Sequence, residues 1–130
     1  MSFKPHAQYS VFEKIKMRKI NINRREVRNS IRISNRNLNA IKIGRNETGN
    51  HMRMKFEICQ WLVKQGKSFY TEAIFQDGEG RADVINADEK IIYEIYESET
   101  LDSLEMKSKK YPFEVRYVKA NQPFTEKLIL

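Results

Sequence analysis

Five apolar or aromatic residues, Ile91, Ile92, Tyr93, Ile95 and Tyr96, surround a single carboxylate, Glu94. A run of this length and composition reads as an inner strand covered on both faces. A carboxylate there needs a partner, because an unpaired charge taken out of water is strongly unfavourable. The chain must therefore build a sheet with a buried strand and bring something to meet Glu94.

The neighbouring segments supply that sheet. Phe69 to Phe75 reads as a strand, Asp77-Gly78-Glu79-Gly80 as a turn and Arg81 to Asn86 as a second strand. If Ala87 to Lys90 form a four-residue loop, Asn86 pairs with Ile91 and Asp83 falls opposite Glu94, with Cβ atoms about 4.5–5.5 Å apart. Like charges so opposed destabilise a sheet unless a cation lies between them or one carboxyl keeps its proton. A hard divalent ion, Mg²⁺ or Mn²⁺, suits such a pair, since it accepts one or two carboxylates together with waters and phosphate oxygens. Upstream, Met54, Ile58, Trp61 and Leu62 share one helical face, Asn50 is placed to cap the start and Gly66 to stop the end. Glu57 sits at the edge of that buried stripe. Downstream, Thr100 or Asp102 can cap a helix bearing Leu101, Leu104, Ser108 and Tyr111 on one face. Pro112 ends it, and Phe113 to Val118 returns to the sheet. The predicted class is α/β, in the order αβββαβ with a mixed central sheet flanked by helices.

Charge is segregated along the 130 residues. Residues 1–50 hold 12 Lys and Arg against 3 Asp and Glu, and residues 51–130 hold 12 against 14. This predicts a basic N-terminal arm or helical extension, 1–49, joined to an α/β domain, 50–130. Within the arm no single period prevails: Lys14 to Arg18 alternates like a strand, whereas Val27 and Ile31 stand four apart like a helix face, so two short helices or ribbons are expected. Arg18, Lys19, Arg24, Arg25, Arg28, Arg32 and Arg36 are candidate phosphate contacts, with the many asparagines as further hydrogen-bond donors. Cys59 is the only cysteine, and His6 and His51 are the only histidines. No Cys/His zinc set or internal disulfide can be built, which fits a reducing, cytoplasmic setting. No apolar run approaches the roughly 20 residues that span a bilayer, so no membrane partner is expected. Helix-turn-helix, RNP and zinc-finger signatures are lacking, as are a phosphate-binding glycine loop and a nucleophile triad.

With Glu57 on the first helix, Gly80-Arg81-Ala82-Asp83 after the turn and Glu94-Ile95-Tyr96 on the inner strand, residues 50–120 resemble the PD-(D/E)XK nuclease superfamily, particularly its Holliday-junction-resolvase-like and archaeal or viral members. The resemblance implies a restriction-endonuclease-like core and a Mg²⁺ site made by Glu57, Asp83, Glu94 and the backbone carbonyl of Ile95. It also implies a two-fold partner, although no residue specifies an interface. The function it implies is metal-dependent endonuclease cleavage of DNA phosphodiester bonds, on branched or non-specific DNA, with RNA left open.

One position departs from the family pattern. Tyr96 stands where the family has a lysine, and a phenol with a reference pKa of about 10 is neutral at pH 7. Lys107, on the following helix, is the first candidate to supply the missing charge, ahead of Lys55, while Tyr96 offers a hydrogen bond. The competing reading is a catalytically inactive nuclease-fold protein that only binds nucleic acid. Plainer readings accompany each residue: Glu57 as an ordinary helix-edge carboxylate and Asp83 as a turn stabiliser, while Glu72, on the same face as Asp83 in the simplest register, reads as an exposed strand residue ahead of a carboxylate supporting the site. For Arg81, besides a phosphate contact, a salt bridge to Asp77, Glu79 or Glu97 is open.

Overall fold

A computed structural model of the chain describes residues 8–78 and 80–129; His6 and Glu79 lie outside the described residues. The elements are α1 (Val11–Ser30), α2 (Gly49–Lys64), β1 (Phe69–Ile74), β2 (Arg81–Asn86), β3 (Ile91–Tyr96), α3 (Leu101–Ser108) and β4 (Glu114–Lys119), with 3-10 turns at Ile33–Asn35 and Glu126–Leu128. The four strands form one sheet in sequence order. β1, β2 and β3 are antiparallel, and β4 runs parallel to β3 after the α3 crossover, so the sheet is mixed.

The register follows the short loop. Asn86 pairs with Ile91, Ile85 with Ile92 and Val84 with Tyr93, as a four-residue Ala87–Lys90 connection requires. β3 is an inner strand, buried along its length until Tyr96. One face packs on α2 through Met54, Ile58, Leu62, Phe69, Val84 and Tyr93. The other packs on the end of α1 through Val27, Ile31, Tyr70, Phe75, Ile85 and Ile92. Each of these buried side chains contributes about 1.5–3 kcal/mol relative to an exposed one. α3 lies on the α1 side, where Ser108 Oγ meets Tyr117 Oη at 2.5 Å and Tyr111 joins the apolar cluster.

The ends of α2 are set locally. Thr48, not Asn50, is the N-cap: its hydroxyl accepts from His51 N at 3.2 Å, which places Asn50 inside the first turn. At the other end Gly66 adopts φ +70 and, with Lys67 N bonded to Leu62 O and Gly66 N to Val63 O, makes the left-handed stop its position predicts. On α3 Thr100 is the cap, its hydroxyl accepting from Ser103 N, while Leu101 turns outward and is 52 % exposed.

The basic segment differs from the expected pair of short helices or ribbons. Residues 11–30 form one 20-residue helix, started by Ser10, whose hydroxyl accepts from Glu13 N. The alternation at 14–18 has no structural effect because that half of the helix meets no sheet. Farther along, Val27 and Ile31 are fully buried in the second cluster. Asn23 Nδ2 donates to Asp88 O, Arg24 grips Asp88 with Nε at 2.7 Å and Nη2 at 3.0 Å, and Lys90 reaches Glu26. Past the helix the chain runs beside β1. Arg32 N donates to Ile74 O, Asn35 Oδ1 accepts from Ile74 N, and Asn39 exchanges bonds with Phe69. These asparagines close an edge strand whose backbone groups would otherwise be open, a different use from the phosphate contacts expected of them.

Candidate functional site

At the end of β2 and β3 away from their loop, the regular ladder stops after Val84 and Tyr93. Side chains take over from backbone there. Asp83 N donates to Glu94 Oε1 at 3.1 Å, and Ile95 N donates to Asp83 Oδ2 at 2.8 Å. Each carboxylate thus holds the backbone of the opposite strand, and the two groups meet beyond the last paired residues, Val84 and Tyr93, through side-chain bonds in place of the regular cross-strand pair expected. The neighbouring strand is deformed at the same level: Glu72 has φ +50, a strained conformation for a residue with a side chain. Ala82 and Val84, on either side of Asp83, belong to apolar clusters on opposite faces of the sheet, so the usual alternation is broken at Asp83.

A cleft of about 910 Å³ opens over this point, lined among others by Arg32, Arg45, Glu47, His51, Glu72, Arg81, Asp83, Glu94, Tyr96 and Lys107. Through its wall runs a chain of alternating charges. His51 Nε2 lies 3.4 Å from Asp83 Oδ2, and its Nδ1 lies 2.5 Å from Glu47 Oε1. Lys55 Nζ, fully buried, lies 2.7 Å from Glu47 and 3.0 Å from Glu72, whose other oxygen meets Arg81 Nε at 2.9 Å. Burial alone would lower the His51 imidazole, but Asp83 and Glu47 outweigh it and hold it up at about 9, so it is a cation at neutral pH. Burial would raise Glu47, and the Lys55 ammonium, the Gly44 N–H and His51 more than reverse it.

Glu94 stands outside this chain. Burial first, and the adjacent Asp83 second, push its carboxyl up to about 9, with only the Lys107 charge and the Asp83 N–H working the other way. Without a further cation it is protonated at neutral pH and shares a hydrogen bond with Asp83.

The structure does not bring every expected residue to this place. Asp83, Glu94, Ile95, Tyr96 and Lys107 all line the cleft. Glu57 does not. Its carboxylate pairs with Arg53 Nη1 at 2.8 Å, and Arg53 Nη2 donates to Ala120 O and Gln122 O, so the pair fastens the chain after β4 to α2. At about 100° per residue, Glu57 lies roughly 200° from Lys55, on another side of the helix from the one that faces the site. The carboxylate expected from α2 is therefore replaced by the His51 and Lys55 side. Replacing Glu57 by glutamine is expected to leave any metal-dependent nicking of plasmid DNA within about twofold of the unaltered protein while lowering thermal stability by about 1 kcal/mol, read by parallel nicking and melting measurements.

Arg81 bonds Glu72, which is not the exposed strand residue expected, since its side chain is 11 % exposed. Arg32 is on the cleft wall, Arg24 is engaged by Asp88, and Arg36 Nε donates to Ile31 O. Arg18, Lys19, Arg25 and Arg28 are exposed along α1. Sequence reasoning passed over Glu47 and His51 as site residues and weighed Lys55 only as a substitute for the missing lysine; His51 and Lys55 share one side of α2, and Glu47 lies just before its Thr48 cap.

Gly80 is needed for the site's shape. Its φ is +134, and a Cβ there would come within 2.5 Å of Tyr111 Cε1. Tyr111 in turn donates to Arg81 O at 3.0 Å and packs against Phe75 with ring centroids 5.2 Å apart. Gly80→Ala is expected to lower stability by about 2–3 kcal/mol in urea unfolding, through backbone strain and displacement of the Tyr111 ring.

Among the described residues no set of three His, Cys, Asp or Glu side chains forms a ready-made metal cage, and no helix is long and apolar enough to cross a membrane. The molecule is thus an α/β protein with a four-stranded mixed sheet and a polar cleft over a paired Asp83 and Glu94. Comparison with protein families, curated proteins and solved structures finds no match to the chain.

Proposed function

We propose that this protein is a metal-dependent endonuclease that hydrolyses DNA phosphodiester bonds, built on a core like that of the PD-(D/E)XK superfamily. The observation that carries the reading is the meeting of Asp83 with Glu94, a buried carboxyl that makes no ion pair among the described residues, at the floor of a cleft edged by Arg32, Arg45 and Lys107. Asp83 and Glu94 are the residues to hold a divalent ion, Mg²⁺ or Mn²⁺, and two carboxylates with waters and a phosphate meet the needs of such an ion. Bound there, the ion would polarise a phosphate oxygen and ease loss of a proton from the attacking water.

The chain's own groups divide the remaining work. Water attacks phosphorus, the bond to the leaving sugar oxygen breaks, and that oxygen gains a proton. Lys107 takes the place of the family's lysine, offsetting the negative charge that grows on the phosphate. The Tyr96 hydroxyl donates a hydrogen bond, and His51 with Glu47 holds Asp83 in position. Arg32 and Arg45 bind flanking phosphates. The cations of α1 extend the grip: Arg18 lies thirteen residues before Ile31, about 20 Å along the helix, and so addresses the DNA well away from the cleft.

Tyr96 in the lysine's place favours a second reading, a nuclease-like protein that binds nucleic acid without cutting it. Incubation with supercoiled plasmid and four-way-junction DNA separates the two. Nicking that appears with Mg²⁺ or Mn²⁺, disappears with chelator and is abolished by Asp83→Asn supports the enzyme. Salt-sensitive binding with no nicking under any metal supports the scaffold.

A further inference from the structure

The cations of α1 are not spread evenly around the helix. Lys14, Arg18, Asn21 and Arg25 recur at helical spacing, and at about 100° per residue they fall within roughly 60° of one another, on the side away from the buried Val27. Together with Met17 and Ile22 they line an open groove of about 350 Å³ along the outside of the helix, with no carboxylate among the lining residues. The two acids of α1, Glu13 and Glu26, lie at least about 80° from every member of the row, and Glu26 is taken by Lys90. The row is therefore a surface of one sign.

Its chemistry fits a nucleic-acid backbone: cations for phosphates, the Asn21 amide as a further donor, and Met17 and Ile22 as an apolar floor for sugars. Its shape selects the kind of strand. The row is straight, about 16 Å from Lys14 to Arg25, and the helix carries on to Ser30, two residues before Arg32 on the cleft wall, about 24 Å in all. Laid along a duplex, that length matches roughly seven base pairs at about 3.4 Å each. A duplex is stiff over about 150 base pairs and holds its phosphates in fixed positions for such a row. A flexible single strand is held instead by stacking its bases on aromatic rings. The one aromatic residue of α1, Phe12, lies about 160° from Lys14 and offers the row no such platform. A lipid surface fits less well, because only Val11, Ile15 and Ile22 are on that side to enter it, with Asn21 and Asn29 between them. We propose that this row of α1 binds the backbone of duplex DNA and holds the duplex over roughly seven base pairs to one side of the cleft, the choice of DNA and of the cleft as its destination resting on the nuclease reading.

Binding read with chelator present tests the row without asking whether the cleft cuts. The full chain is titrated against a labelled duplex DNA of roughly 20 base pairs between about 50 and 200 mM salt, with the unlabelled single strand and phosphatidylserine vesicles as competitors. The duplex should be bound on the order of tenfold more tightly than the single strand, and the vesicles should not displace it. Combining Lys14→Ala, Arg18→Ala and Arg25→Ala should make the fall of log affinity with log salt shallower by about 2.7, or about 0.9 for each lost phosphate contact, circular dichroism confirming that the variant is folded. Arg18→Ala alone should remove about a third of that. Lys16→Ala, a cation of the same helix turned about 160° from Lys14, should leave the slope as it is. A slope unaltered in the triple variant, an effect of Lys16→Ala equal to that of Arg18→Ala, a single strand that competes as well as the duplex, or vesicles that displace the duplex overturns the proposal. The two failures separate: a chain that nicks plasmid but keeps its slope in the triple variant loses this inference alone, and a chain that binds duplex through the row without nicking under any metal loses the nuclease alone.

Discussion

Replacing Glu94 by glutamine is expected to remove metal-dependent DNA nicking by roughly 10³-fold and, at the same time, to stabilise the metal-free protein at alkaline pH. Both effects come from one property of the site. The folded carboxyl is held up at about 9 by burial and by Asp83, well above its usual value of 4.5. Its contribution to stability is therefore fully present below pH 4.5 and is lost as the pH rises through 9. A glutamine amide reproduces the protonated acid: its oxygen can accept from Asp83 N and its NH₂ can donate to Asp83. It has no proton to lose. The melting temperature of Glu94→Gln should match that of the unaltered protein near pH 5 and exceed it by roughly 5 °C near pH 8. Adding Mg²⁺ at pH 8 should close the gap by stabilising the unaltered protein alone. A melting difference that stays constant between pH 5 and 8 would sink this account of Glu94, whatever the nicking shows. His51, held up at about 9 by Asp83 and Glu47 against burial, adds a decline of the same sign in both proteins.

Lys55→Met is expected to be the most destabilising single change in the charge chain beside the cleft, by about 3–5 kcal/mol, because it removes the ammonium shared by Glu47 and Glu72 and leaves both carboxylates in a buried place. The volume is nearly kept, so loss of charge and not a cavity is what the measurement reads. Adding Glu47→Gln and Glu72→Gln to the same protein should recover most of the loss, since a buried ion group replaced whole is often nearly neutral. Denaturant unfolding at pH 7 checks both steps, and a triple variant no better than Lys55→Met would show that packing, not charge, was lost. The acid limb carries a second signature. Glu47 is held below the usual carboxylate range despite its burial, chiefly through Lys55, Gly44 N and His51, so its contribution is present above pH 4.5 and is lost as the pH falls. That limb should flatten in Lys55→Met.

The pairing of Asp83 with Glu94 was legible before any coordinates. The length of one loop sets the register that brings those strand ends together, but the two-residue period breaks at Asp83, and the contact is made by each carboxylate bonding the opposite backbone. Gly66 as the stop of α2 and the Thr100 cap of α3 were legible from local sequence too. The choice of residues from α2 was not legible in this way. Glu57, His51 and Lys55 all lie beside its apolar stripe, and amphipathic pattern alone does not say which flank meets the end of the sheet. The fold decided it: Arg53 and Glu57 meet the chain after β4, and His51 and Lys55 meet Asp83 and Glu72.

Residues 11–43 mark the same boundary. Their charge could be counted, but whether an arginine binds Asp88, as Arg24 does, or faces solvent, as Arg18 does, depends on contacts with residues some sixty positions away. The sequence by itself determined the register from Val84 to Ile91, the stop of α2 at Gly66, the Thr100 cap of α3 and the presence of a lone carboxyl in an inner strand, because each is set by neighbours within a few residues. Only the tertiary structure decided that α1 is docked, that asparagines close the β1 edge and that His51 and Glu47 line the cleft with Lys55 buried behind them. Those outcomes are fixed by long-range packing, where several flanks of similar polarity compete and the lowest combined burial of apolar surface and unpaired charge prevails.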